Sequence, residues 1–283
     1  MNEVIHTNIE YLGEFEGSAI HHVYPRSTGR ETQRPPNEAV RVPLTDARPK
    51  AADYSLDEHG FAFARAPSVL AHRGINYFHE NGDEVKSEYY AECTALIMSQ
   101  TGASHVIAFD HNLRSRERSQ QGYTNMNEPV RFCHNDYTHN SGPKRLQALL
   151  GENSEEPMTH RYAFINVWRP LMEPVLDKPL ALCAANKLNA RDLVRTEIRH
   201  YKQENLEQPA HIGEIYSIRP NPDHEWVYLS AMHIDEVIFI KCFDSAEDGR
   251  ARFTPHTAVD LPDLKPDTPA RESIEVRAVA FFN

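Results

Sequence analysis

Apolar runs of strand length, separated by turn-forming residues, dominate the middle and end of this chain. SHVIAFDHNLR (104–114), RYAFINVWRP (161–170), HIGEIYSIRP (211–220), HEWVYLSAM (224–232), EVIFIKCFDS (236–245) and RESIEVRAVAFF (271–282) each predict a strand. Helical spacing is rarer. EVKSEYYAECTALIMSQTG (84–102) sets Tyr89, Tyr90, Cys93, Leu96 and Ile97 near helical period and stops at Gly102. KRLQALLG (144–151) predicts a second helix, followed by the polar break GENSEEP (151–157). ARDLVRTEIRHYKQENL (190–206) is mixed and admits a helix. Residues 1–60, with short alternations such as AVRVPL (39–44), read as strands or extended arms wrapping a core. DLPDLKPDTPA (260–270) reads as a loop. No β-α-β alternation appears, so the pattern argues against a parallel sheet and for an antiparallel barrel or jelly roll with packed helices. The expected organisation is one domain over 1–283, with an arm at 1–60 and the jelly-roll core at 100–283.

Composition narrows the function. The formal net charge of −11 leaves no basic surplus for phosphates or an anionic membrane surface, though one or two local arginines suffice for a small anion. Cys93, Cys133, Cys183 and Cys242 are scattered, with no CxxC pair, which argues against a disulfide scaffold or thiolate zinc site and suits a reducing compartment. There is no apolar run long enough to span a membrane and no secretory signal pattern at the N-terminus, so the cytosol is the expected compartment. The expected partners are a small-molecule substrate and, at most, a second copy of the chain as a homodimer; nucleic acid and membrane are not expected.

The chemistry centres on RFCHNDYTH. Residues two apart on a strand project to one face, so His134 and Asp136 converge. With one later histidine they make a 2-His-1-carboxylate set, which covers one face of a ferrous ion and leaves positions open. By itself an HxD is weak evidence in a chain with 16 histidines. FTPHTAV offers His256 as the third member, with His211, His224 and His233 as rivals and His224 the strongest of these. Arg271 and Ser273, sharing a face on the last strand, offer a guanidinium fork and a hydroxyl, a pair suited to the distal carboxylate of a dicarboxylate. One loop joins His256 to the Arg271 strand, which favours His256 and predicts the two as hairpin partners.

Several long segments resemble the fungal Fe(II)/2-oxoglutarate oxygenase group that contains gibberellin-desaturase-like and cephamycin-methoxylase-related proteins. They are SLDEHGF (55–61), TGASHVIAFDHNLR (101–114), HNDYT (134–138), FINVWRPLMEPVLDKPLALC (164–183), DEVIFIKCFDS (235–245) and DGRARFTPHTAVD with PARESIEVRAVAF (248–281). Together they run from about Leu56 to Phe282. The resemblance implies a double-stranded β-helix (cupin-like jelly roll) that uses Fe(II), 2-oxoglutarate and O₂ and releases succinate and CO₂. It maps the metal ligands onto His134, Asp136 and His256, and the co-substrate clamp onto Arg271 and Ser273. Members hydroxylate, desaturate or form endoperoxides on terpenoids, meroterpenoids, polyketides and peptides, as in fungal secondary metabolism. Ala184 stands where the group usually has an acid, and Val227 and Leu229 where aromatics or proline are common, which bears on substrate and not on iron.

Four further residues have a functional reading beside a structural one. Asn166 and Arg169 are candidates for co-substrate binding, and Trp168 and His139 for the substrate pocket. Parity puts Trp168 with Asn166 and Arg169 on the opposite face, where its structural reading is a tie to a buried acid such as Asp177. Two other function classes remain. A redox-neutral or hydrolytic metalloenzyme on the same barrel has no use for the Arg271 and Ser273 clamp. A catalytically silent binding module has no use for the metal set.

Overall fold

A computed structural model describes residues 4–151, 155–262 and 264–283. The break expected at 151–157 falls partly outside these residues, as does position 263 of the 260–270 loop. In chain order the strands are β1 (Val4–Leu12), β2 (Ala19–Val23), β3 (Asn37–Asp46), β4 (Phe61–Arg65), β5 (His105–Ser115), β6 (Met126–Asn127), β7 (His134–Asn135) and β8 (Tyr162–Pro170). They continue with β9 (Leu180–Cys183), β10 (Leu193–His200), β11 (His211–Ile218), β12 (Trp226–Tyr228), β13 (Glu236–Asp244), β14 (His256–Ala258) and β15 (Glu272–Phe281).

Among the described residues they form two sheets. The larger, of nine strands, has the order β1-β3-β12-β9-β14-β7-β11-β10-β2; the smaller, of six, has β4-β13-β8-β15-β5-β6. Most pairings are antiparallel, with parallel exceptions at β2/β10, β3/β12 and β5/β6. The N-terminal arm is thereby absorbed at both margins of the large sheet. The chain is mainly β with few helices, a jelly-roll type of architecture.

One apolar cluster lies between the sheets and joins Leu44, Leu182 and Trp226 to Phe164, Ile240 and Val279. A second joins the outer face of the small sheet (Ile165, Val167, Val276) to helical residues Ile75, Phe78, Cys93 and Ile97. The result is three layers, and β8, covered on both faces, is buried at every position. Phe164, Asn166 and Trp168 face the large sheet, while Ile165, Val167 and Arg169 face the helices. The main helix of that outer layer, α1 (Tyr90–Thr101), follows a π-helical turn at Val85–Tyr89 and ends on Gly102 in the left-handed conformation, φ 71°. A second helix, α2 (Ser141–Leu150), follows β7.

Two expectations fail. The 190–206 segment is not a helix: after a short 3₁₀ turn it becomes β10, held on one side by β11 and on the other by β2. Thr196 is buried there and the charged Glu197 and Arg199 pair with each other along the strand, so pairing on both edges decided a pattern that was ambiguous locally. The hairpin expected between the His256 strand and the Arg271 strand does not form either. β14 pairs with β7 and β9 in the large sheet, and β15 with β5 and β8 in the small one. The connection between them carries Pro262, Pro266 and Pro269, which lack ladder donors, and it crosses from one sheet to the other.

Candidate metal centre and co-substrate site

β7 and β14 are neighbours in the large sheet, and His134 lies directly opposite His256. Side chains so paired are forced together on one face. Their ring centroids are 4.6 Å apart. Asp136, just past the end of β7, brings Oδ1 to 3.5 Å from His134 Nε2 and 3.8 Å from His256 Nε2. Among the described residues these three form a group of His, Cys, Asp or Glu side chains spaced to hold one metal ion, with ligand atoms within 4.8 Å of one another.

The other ring nitrogens are already engaged. His134 Nδ1 bonds the Phe132 carbonyl at 2.9 Å, and His256 Nδ1 bonds the Thr254 carbonyl at 2.9 Å. A carbonyl only accepts, so each Nδ1 carries the hydrogen and each Nε2 presents its lone pair inward. Burial, then the neighbouring His134, lower the His256 pKa and favour the neutral imidazole that a metal needs. Burial alone would raise the Asp136 carboxyl, but the contact with His134 and, whenever the rings are protonated, the charges of His256 and His134 pull it well below the carboxylate range.

Between the two candidate ligands, Asn135 points the other way. Its amide donates to the carbonyls of Tyr137 and Cys242 (2.7 and 2.8 Å), and its oxygen accepts from the Thr254 backbone at 2.9 Å. It thereby ties the HxD turn to the approach of β14. Asn166, on β8, donates from Nδ2 both to Asp136 Oδ2 at 2.9 Å and to Glu275 Oε1 at 2.6 Å. Holding Oδ2 leaves Oδ1 facing the histidines. Asn166 therefore sits behind the carboxylate, where its contacts are to Asp136 and Glu275. Strand parity grouped Asn166 with Trp168, but its partner Glu275 was missed; the Arg271, Ser273, Glu275, Arg277 ladder on alternate positions was the signal available.

Arg271 lines the same cavity from the small-sheet side, and Ser273, two residues on, shares its strand face; they are 2% and 1% exposed. The guanidinium lies over the Trp168 ring, 5.3 Å from its centroid, and Nη1 donates to the Lys178 carbonyl. Arg271 Nε and Ser273 Oγ are buried with no hydrogen-bond partner among the described residues. Burial, together with the like charge of Arg114, pushes the Arg271 pKa down to about 9, against the weaker opposing pull of Asp177 and Glu275. An unpaired charge in such a place is costly, and an incoming carboxylate would relieve it. These residues fit a dicarboxylate co-substrate. Arg277 is committed instead to Asp110 at 2.8 Å.

Other expected site residues lie elsewhere. Arg169 points into the helical layer, where Nε donates to Tyr89 Oη (2.9 Å), Nη1 to the carbonyls of Ala66 and Ile234, and Nη2 to Glu92 (3.0 Å). It does not line the cavity, and its acid is Glu92 and not Asp177. His139 packs on Phe253 and Tyr216 and borders a separate surface groove, not the central cavity. Trp168 does line that cavity. His224, the rival third ligand, is spent in a buried network: Nδ1 on Tyr11 Oη at 3.0 Å, Nε2 on Asp192 at 3.1 Å.

The cavity has a volume of about 860 Å³ and lies between the two sheets, with the candidate metal site at one wall. Comparison with known proteins fits this arrangement. Residues 9–281 match the domain family described as YDMC: Oxidoreductase/YMDC permease-like domain. The chain is 32% identical over 244 residues to the Fe(II)/2-oxoglutarate-dependent dioxygenase nvfI of Aspergillus novofumigatus, covering 85% of this chain and 83% of that protein. The chain belongs to the Fe(II)/2-oxoglutarate-dependent dioxygenases. As a member of that family it uses Fe(II), 2-oxoglutarate and O₂. It is also 28% identical to the hydroxylase/desaturase efuI of Hormonema carpetanum, over 98% of this chain and 95% of that one. The solved iron and alpha-ketoglutarate-dependent endoperoxidase NvfI superposes with a TM-score of 0.86 at 27% identity, covering 98% of this chain and 97% of that chain. Among the described residues no helix is long and apolar enough to cross a membrane.

Proposed function

We propose that this dioxygenase oxidises a C–H bond of a small natural product of terpenoid, meroterpenoid or polyketide type, by hydroxylation, desaturation or endoperoxide formation. In this reading His134, Asp136 and His256 hold the iron, and Arg271 with Ser273 holds the distal carboxylate of 2-oxoglutarate. The observation that carries it is the pairing of three converging ligand atoms with a buried, unpaired guanidinium and hydroxyl on the facing wall of one cavity. A hydrolytic metalloenzyme would have no need of the second half.

When bound, ferrous iron with 2-oxoglutarate and O₂ supplies the oxidising power, the co-substrate leaving as succinate and CO₂. The chain's own residues bind and orient. The Phe132 and Thr254 carbonyls fix both imidazole tautomers, Asn166 fixes the Asp136 carboxylate, and the two sheets shield the cavity from bulk water. The same reading treats the whole chain as one oxygenase domain, acting in the cytosol, where the four free, buried cysteines stay reduced, and working as a monomer or homodimer. The test is anaerobic loading with Fe(II) and 2-oxoglutarate, then exposure to O₂. Succinate should form with wild type and vanish with Asp136→Ala. No succinate from iron-loaded wild type, or normal succinate from the variant, would overturn the reading.

A further inference from the structure

The cavity carries cationic groups beyond the one that a co-substrate carboxylate would occupy. Two of its arginines are neutralised locally, Arg195 by Glu214 and Arg277 by Asp110, each at 2.8 Å. Arg114 on β5, and Lys144 and Arg145 on α2, also line the cavity, and among the described residues none of them has an acid within ion-pair distance. This is notable in a chain whose net charge is −11.

Arg114 is the best placed of the three. It lies directly opposite Ser273 in the β5/β15 register, beside the Arg271 clamp but on a different strand. Its Nη1 donates to the Glu128 carbonyl at 2.8 Å, which fixes the fork and leaves its other N–H groups available. Burial lowers the Arg114 pKa despite nearby Glu275 and Asp136, so this cation too lacks a close counter-charge. Glu275 is held by Asn166. The opposite wall, from the large sheet and the segment before β7, carries an apolar strip of Val23, Val130, Phe132, Leu180 and Ile198 among polar groups such as His21, Glu197, His200 and His211. A volume of about 860 Å³ holds a co-substrate and a drug-sized molecule together.

Resting on the functional reading above, we propose that the molecule oxidised is an acid: an apolar-bodied compound whose anionic group is held by Arg114, while its body lies against the large sheet. A guanidinium fork matches a carboxylate in shape and charge, and such pairs are the strong ones in a partly dry site. Arg114 then decides which molecules enter productively, and Lys144 and Arg145 favour anions at the mouth.

The test uses two dyes of one shape, 8-anilinonaphthalene-1-sulfonate and the uncharged N-phenyl-1-naphthylamine, titrated into protein loaded anaerobically with Mn(II) and 2-oxoglutarate. Wild type should bind the sulfonate about tenfold more tightly, the size of one charge-assisted contact. Arg114→Gln should erase that preference while leaving affinity for the neutral dye and for 2-oxoglutarate within about twofold, and Arg114→Lys should recover part of it. Equal binding of the two dyes by wild type would overturn the proposal. So would a selective loss of 2-oxoglutarate affinity in Arg114→Gln, which would assign Arg114 to the co-substrate. Failure of wild type to take up Mn(II) and 2-oxoglutarate would sink the functional reading instead; the dye pair, compared between wild type and Arg114→Gln in the metal-free protein, still decides whether Arg114 sets the charge preference.

Discussion

Arg169 and Arg271 are buried equally, at 0% and 2% exposure, on adjacent strands of the same sheet, yet one is spent and the other is not. Every nitrogen of Arg169 donates, to a hydroxyl, two carbonyls and a carboxylate. Among the described residues, Arg271 keeps an unpartnered Nε, has no acid in ion-pair distance, and sits beside an equally unpartnered hydroxyl. Saturated partners make a buried cation part of the architecture. On the function proposed above, missing partners reserve it for a ligand. The histidines divide in the same way: both nitrogens of His224 are taken up inside the protein, whereas His134 and His256 each keep one.

The contrast is broken most sharply by truncating each arginine. Arg169→Ala leaves Glu92, Tyr89 and two carbonyls without their donor, and should cost about 3–5 kcal/mol of stability in denaturant titration, with 2-oxoglutarate affinity unchanged in whatever fraction folds. Arg271→Ala should do the reverse: a midpoint near wild type, because an uncompensated charge is removed, and a 2-oxoglutarate affinity lower by about 30-fold or more. If both variants lost mainly stability, the distinction between spent and reserved arginines would fail. Asn166→Ala frees Asp136 to turn and should weaken Mn(II) binding by about 10-fold to 100-fold, as losses behind a metal ligand do, with Asn166→Gln intermediate. Isothermal titration with Mn(II) reads it. Ser273→Ala, the mildest change, removes one hydroxyl and should cost about 1 kcal/mol in 2-oxoglutarate binding, roughly fivefold.

Much of the site was legible because strand parity is rigid. His134 with Asp136, Arg271 with Ser273, and Asn166 with Trp168 all share faces as two-residue spacing requires. Parity also set Arg169 apart, but it cannot say which face of β8 fronts the cavity, because both faces are buried. Sheet membership was not legible. Nearness in sequence suggested a hairpin for β14 and β15, whereas they belong to opposite walls, so the candidate metal ligands and Arg271 face each other across the cavity. β10 was hidden because its Val194, Thr196 and Ile198 alternation is interleaved with Arg and Glu that also fit helical spacing. The Asn166–Glu275 contact and the unpaired Arg114 depend on which strands lie side by side, which no local pattern carries.

The account turns on which histidine completes the metal set, and one comparison addresses that directly. Wild type, His256→Ala and His224→Ala are titrated anaerobically with Fe(II) in the presence of 2-oxoglutarate, following the weak metal-to-ligand absorption band of the chelate. His224 has no free nitrogen and sits in the Tyr11–Asp192 network, so its variant should be less stable but keep the band. His256→Ala should stay folded and lose it. Retention of the band by His256→Ala with its loss in His224→Ala would contradict the site described here.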